Sequence, residues 1–105
     1  MNDQIFYDLV FHGREERNLE YKSDIKWENA VIKAKLTKTI LSMCNIRDGG
    51  VIIIGVTEKD ETFEPTGITE ENFNSFKQDD ISVYVNEFAD PYVEVSVKRI
   101  ELDSK

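Results

Sequence analysis

Glu20 and Lys22, separated by Tyr21, would place a carboxylate and an ammonium on one face of an extended segment, because strand side chains alternate between faces. Glu-x-Lys metal nucleases use this pairing: the carboxylate holds a divalent ion and the lysine positions or activates water. Three residues do not separate such a site from an ordinary solvated strand face. Other chemistries find less support. The single histidine, His12, and the single cysteine, Cys44, cannot supply the usual nitrogen and sulfur ligands of a zinc site within one chain. Ser, His and Asp form no triad pattern. Asp48-Gly49-Gly50 leads into an apolar run, whereas phosphate-cradling glycine loops lead from a strand into a helix, so no nucleotide loop is expected.

The charge distribution restricts where a polyanion could sit. The net charge of −8 divides unevenly: residues 1–60 carry nine basic and ten acidic side chains, a net of −1, and residues 61–105 carry four basic and eleven acidic, a net of −7. Lys and Arg contacts to phosphate supply most non-specific nucleic-acid affinity, so any such site belongs to the first half. Its candidates are Arg14, Arg17, Lys22, Lys26, Lys35, Lys38 and Arg47. The acidic half reads as a solvated face or a surface for a protein partner.

These groups need a framework, and the apolar patterning supplies one. Asp3 can cap a helix in which Ile5, Phe6, Leu9 and Val10 form a stripe, with Gly13 as its stop. Leu19-Glu20-Tyr21-Lys22-Ser23 alternates as a strand, with Leu19 and Tyr21 inward. The spacing predicts a main helix over Trp27–Cys44, with Ala30, Ala34, Thr37, Ile40, Leu41 and Cys44 on its apolar side, Val31 at the margin, Ile32, Leu36 and Met43 widening the arc, and Glu28, Lys35, Lys38, Thr39 and Ser42 on the wet face. Cys44 then reads as a small core residue, and Lys33 as a lysine that snorkels out of an apolar arc. Val51 to Ile54 are consecutive β-branched residues without alternation, a strand covered on both faces near the middle of a sheet.

Gly55 marks a bulge or a close backbone approach. A charged turn at 57–61 returns the chain along Thr62–Pro65. Thr69 caps a further helix, interrupted near Lys77–Asp80, with Asp79 or Asp80 capping its second segment. Asp90-Pro91 ends that helix, and Tyr92 to Val97 alternates as a last strand. Ile100 and Leu102 fall on the opposite parity, so a bend or bulge is expected at Lys98-Arg99. The fold class is α+β, a small mixed sheet with helices packed on it, formed as one domain over 1–105 with a helical lead-in at 1–13. No run reaches membrane-spanning length and no leader pattern is evident, so the expected location is the cytoplasm, without membrane contact.

Leu19-Glu20-Tyr21-Lys22, the Asn45 that precedes Asp48-Gly49-Gly50, and Val51-Ile52-Ile53-Ile54-Gly55-Val56 together resemble the Schlafen-type AlbA-like domain, over about residues 13–100. Ala89-Asp90-Pro91-Tyr92 adds to the likeness. The resemblance implies a DNA- or RNA-binding module, in bacteria commonly part of a regulator or defence protein. It also implies a second activity, because some Schlafen proteins are metal-dependent RNases with three carboxylates. Carried over by position, these are Glu15, Glu20 and Glu58, with Asp60 the alternative to Glu58 and Lys22 assisting. Glu58 stands where the RNases typically have aspartate. Such oxygen ligands suit Mg²⁺ or Mn²⁺. Members usually continue through a further strand, so this chain is expected to be the N-terminal part of a longer protein, with a sheet edge that invites homodimerisation. Three readings follow: a nucleic-acid-binding module, a metal-dependent endonuclease, and a protein-interaction domain with an acidic face.

Overall fold

The computed structural model describes residues 3–101. The order is α1 (Asp3–Val10), β1 (Leu19–Lys22), α2 (Ala30–Met43), β2 (Val51–Ile54), β3 (Val56–Lys59), β4 (Thr62–Pro65), α3 (Glu70–Ser75) and α4 (Gln78–Asn86). This is the expected α+β class, with its strands divided between two small sheets. β1 and β2 pair in parallel, Glu20 opposite Ile52 and Lys22 opposite Ile54. β3 and β4 form an antiparallel hairpin, with Glu58 opposite Phe63.

Gly55 makes the division. Its amide donates to the Lys22 carbonyl at 2.7 Å, closing the parallel ladder, and its own carbonyl accepts from the amides of Thr66 and Gly67. Its φ of +107° lies where L side chains rarely go, and an added Cβ would stand 3.0 Å from the Gly67 carbonyl carbon. The chain therefore leaves the first sheet at this residue and enters the hairpin at Val56.

The parallel pair separates two apolar clusters. Leu19 and Tyr21 turn toward α1 and the hairpin, joining Val10 and Val56, with Leu9, Val51, Ile53 and Phe63 packed around them. Ile52 faces the other way, onto Trp27, Leu36, Ile81 and Val85. The β-branched run is thus apolar on both faces, as its composition predicts. It is not central, however: among the described residues β2 pairs with β1 alone, and its four residues are only half-buried.

The physical reason lies at 92–97. That segment is not a strand, although Val95 and Val97 pack on the second cluster. Side chains tether it instead: the Asn86 amide group donates to the Val93 carbonyl and accepts from the Val93 amide, and Gln78 accepts from the Val97 amide. No bridge or strand marks the bend expected at Lys98-Arg99; Arg99 instead lies over the Phe73 ring and pairs with Glu70. Leu102 lies outside the described residues, as does the side chain of Asp3 and hence its capping role.

The main helix starts later than its apolar periodicity indicates. Asn29 accepts from the Ile32 amide at 2.9 Å and caps it. Trp27 belongs to the preceding loop, where its amide donates to Ser75 Oγ. Its buried residues, Leu36, Thr37 and Met43, all fall within the expected apolar arc, which is narrower than expected because Ala30, Ala34 and Cys44 are exposed. Cys44 therefore is not a core residue; its thiol donates to the Ile40 carbonyl. Lys33 leaves the apolar arc as expected, ending over the rings of Trp27 and Tyr84. In the last helical region Lys77, not an aspartate, occupies the cap of α4, and Asp79 and Asp80 lie in its first turn, where the helix dipole favours them. No helix among the described residues is long and apolar enough to cross a membrane.

The hairpin carries a correctable strain. Asp60 and Glu61 both have positive φ, +51° and +66°, the geometry of a type I′ turn that favours Gly at the second position. Glu61→Gly is expected to raise stability by about 0.5–1 kcal/mol by relieving that strain. An unchanged or lowered melting temperature would contradict this turn assignment.

Candidate nucleic-acid groove

β1 and α2 bound an open groove of about 410 Å³. Alternation along β1 directs Glu20 and Lys22 away from the α1 cluster and toward α2, so the strand contributes a charged floor. The facing helix contributes Lys35, Lys38, Thr39 and Ser42. Residues 15–17 form the lip. A reciprocal pair of hydrogen bonds between Glu16 and Leu19, at 2.9 and 3.1 Å, folds this loop back at the start of β1. Glu15, Glu16 and Arg17 consequently line the groove.

The groove's charges are not equally available. Lys22 Nζ stands 3.5 Å from Glu20 Oε1, a partly shielded pair. Glu15 accepts from the Tyr21 amide at 3.3 Å. Glu16 is engaged by His12 and Arg14, and the His12 hydrogen bond above all holds its carboxyl below the usual range, with the charges of His12 and Arg14 adding to it. Arg17, Lys35 and Lys38 form no ion pair with the described residues. Within the groove, the cations without partners among the described residues therefore outnumber the acids without partners, in a chain of net charge −8. Behind the floor, Tyr21 donates its hydroxyl to the Leu9 carbonyl, and burial pushes its phenol up, with Glu15 and Glu16 adding to the shift. This bond fixes β1 against α1.

Of the residues singled out by type, Glu15, Arg17, Glu20, Lys22, Lys35 and Lys38 meet in this groove. Arg14, Lys26 and Arg47 do not line it. Arg14 is paired with Glu16, and Lys26 with Glu71 at 3.0 Å and Glu28 at 3.7 Å, so its ammonium is held above the ordinary range by the Glu71 hydrogen bond first. Arg47 lies in the turn that follows α2. Glu58 is exposed on β3 and Asp60 in the hairpin turn; neither lines the groove, because Gly55 takes the chain out of the first sheet before either is reached.

A divalent ion is therefore only partly provided for. Glu20 Oε2 is buried and has no hydrogen-bond partner among the described residues. Yet among the described residues no group of three His, Cys, Asp or Glu side chains is placed to hold a metal ion, so Glu15, Glu20 and Glu58 do not form one donor set here. Residue types alone did not single out Thr39 and Ser42 as groove residues. Their spacing carried the signal, since 35, 38, 39 and 42 share one face of a helix.

A family model described as Schlafen, AlbA_2 matches residues 15–105. The match begins at the lip of the groove and leaves α1 outside it. No curated protein and no solved structure matches the chain.

Proposed function

The chain belongs to the Schlafen, AlbA_2 family, and on that premise we propose that it binds nucleic acid with the sugar–phosphate backbone seated between β1 and α2. The observation that carries the proposal is the convergence of Arg17, Lys22, Lys35 and Lys38 on one groove of an otherwise acidic chain. Phosphates are attracted by lysine and arginine whatever the base sequence, so the affinity is of the counterion-release kind. Three to four such contacts give a slope of log K against log salt of roughly −2 to −4. Fluorescence anisotropy with a labelled oligonucleotide over a salt series checks this. No binding at low salt, or binding indifferent to salt, overturns the proposal and favours a protein partner for the acidic face.

One observation favours a second reading, a Mg²⁺- or Mn²⁺-dependent nuclease: Glu20 Oε2 is buried without a partner beside Lys22, in the groove that Glu15 also lines. Glu58 does not line this groove, so on this reading a third ligand would come from elsewhere. Structured RNA incubated with either ion and with wild type or Glu20→Gln separates the readings. Binding alone predicts no cleavage by either protein and, because Glu20→Gln removes a negative charge near the phosphates, tighter association of the variant by roughly two- to fivefold. Cleavage by wild type that Glu20→Gln abolishes would establish the nuclease instead.

A further inference from the structure

The groove shares Lys38 and Ser42 with a second cleft of about 450 Å³ on the other side of that helical ridge. This cleft lies between α2 and α4, and Ala34, Thr37, Leu41, Asn45, Tyr84 and Phe88 complete its lining. Its character differs from that of the groove, since it is mainly apolar and aromatic. Phe88 is 61 % exposed, far more than an aromatic serving only the core would be. Its ring packs against Tyr84, centroids 5.5 Å apart, and Tyr84 is held in turn by an edge contact with Trp27.

An aromatic face and a lysine at the rim are the provisions that single-stranded nucleic-acid sites combine: a surface for base stacking and a cation for the neighbouring phosphate. We propose that the α2–α4 cleft takes an unpaired nucleobase, stacked on Phe88, while the adjoining backbone lies on Lys38 and Lys35. The ligand of the groove is then single-stranded, because a base inside a duplex cannot reach a cleft without being unstacked. Charge also assigns the two halves of the ligand. α4 carries Asp79 and Asp80 in its first turn and ends at Glu87 with the negative pole of its dipole. These features repel phosphate and tolerate a neutral base, so the backbone stays on the lysine side. The inference rests on the nucleic-acid reading of the groove and deepens it.

The test uses three labelled probes of one length: a single strand, the same sequence as a duplex, and a single strand with abasic sugars, each in DNA and RNA form. Wild type is expected to prefer the intact single strand by roughly five- to a hundredfold, the range that loss of one stacked base produces. Phe88→Ala should lower that affinity to the abasic level and leave duplex binding within about twofold, while Phe88→Tyr, which keeps the stacking face, should retain it. Phe88 is too exposed for these changes to be expected to unfold the chain, and circular dichroism of each variant checks this. Equal single-strand binding by Phe88→Ala and wild type overturns the cleft inference; if Lys35→Glu/Lys38→Glu is still impaired, the groove reading survives. Failure of every probe to bind wild type overturns both. A change of oligomeric state in Phe88→Ala, measured by light scattering, makes the cleft a contact between copies and likewise overturns the inference.

Discussion

Lys35→Glu/Lys38→Glu is expected to lower nucleic-acid affinity at low salt by roughly tenfold or more and to flatten the salt slope by about 1.4–1.8. Both lysines project from one face of α2 into the groove and form no ion pair with the described residues, so their positive charge is available to phosphate. Reversing them also turns the groove's remaining balance acidic, since Glu15, Glu16 and Glu20 stay. Both side chains are exposed on α2, and glutamate is a good helix former, so the fold should be unaffected. The specific control is Lys26→Glu. Lys26 is already paired with Glu71 and Glu28 and does not line the groove, so its reversal should leave the slope nearly unchanged. A loss from Lys26→Glu about half that of the double variant, in proportion to the charge changed, would mean that only net charge matters and that the groove has no special role.

The largest expected effect on stability belongs to Trp27→Ala, about 3–5 kcal/mol. Trp27 sits in the loop before α2 yet joins parts of the chain that are far apart in sequence. Its indole lies edge-on to Tyr84 with centroids 5.5 Å apart, 6.4 Å from Phe76, and under the Lys33 ammonium. Leu36, Ile81 and Val85 share its cluster, and Ile52 reaches the cluster from β2. Only nine apolar residues are buried among those described, so no other group can take over the filling of that space. Domains of this kind have about 5–15 kcal/mol in total, so the variant should lose between about a fifth and all of its stability, with the urea midpoint lowered in proportion. A loss below about 1.5 kcal/mol would show that the second cluster is not what holds α2, α4 and the sheet together.

The readable and unreadable parts of this structure differ in physical range. Alternation along Leu19–Lys22 was legible, because which face of a strand is buried depends only on period two, and it put Glu20 and Lys22 on the correct side. The hairpin, the break before α4 and the α+β class were legible from turn chemistry and periodicity. The start of α2 was not: Trp27 is apolar and in phase with the helix, but its indole is claimed by α4, and the cap falls to Asn29. Cys44 was misread for a related reason, since the helix turns Leu36, Thr37 and Met43 inward and leaves position 44 in water.

The segment 92–97 has strand composition without a ladder, which composition alone cannot reveal. For the site, the lysine face of α2 followed from spacing. The position of Glu58 did not, because it depends on one positive φ at Gly55, and the α2–α4 cleft depends on a packing of helices that is non-local.

Chemical-shift mapping on ¹⁵N-labelled protein, with a short single-stranded oligonucleotide added at low salt, tests the central claim most directly. Perturbations are expected to concentrate at Arg17, Glu20–Lys22 and the 35–42 face of α2, reversed by added salt, with little change at Glu70, Glu71, Asp79 and Asp80. Perturbations centred on the acidic helices, or none at all, would contradict it.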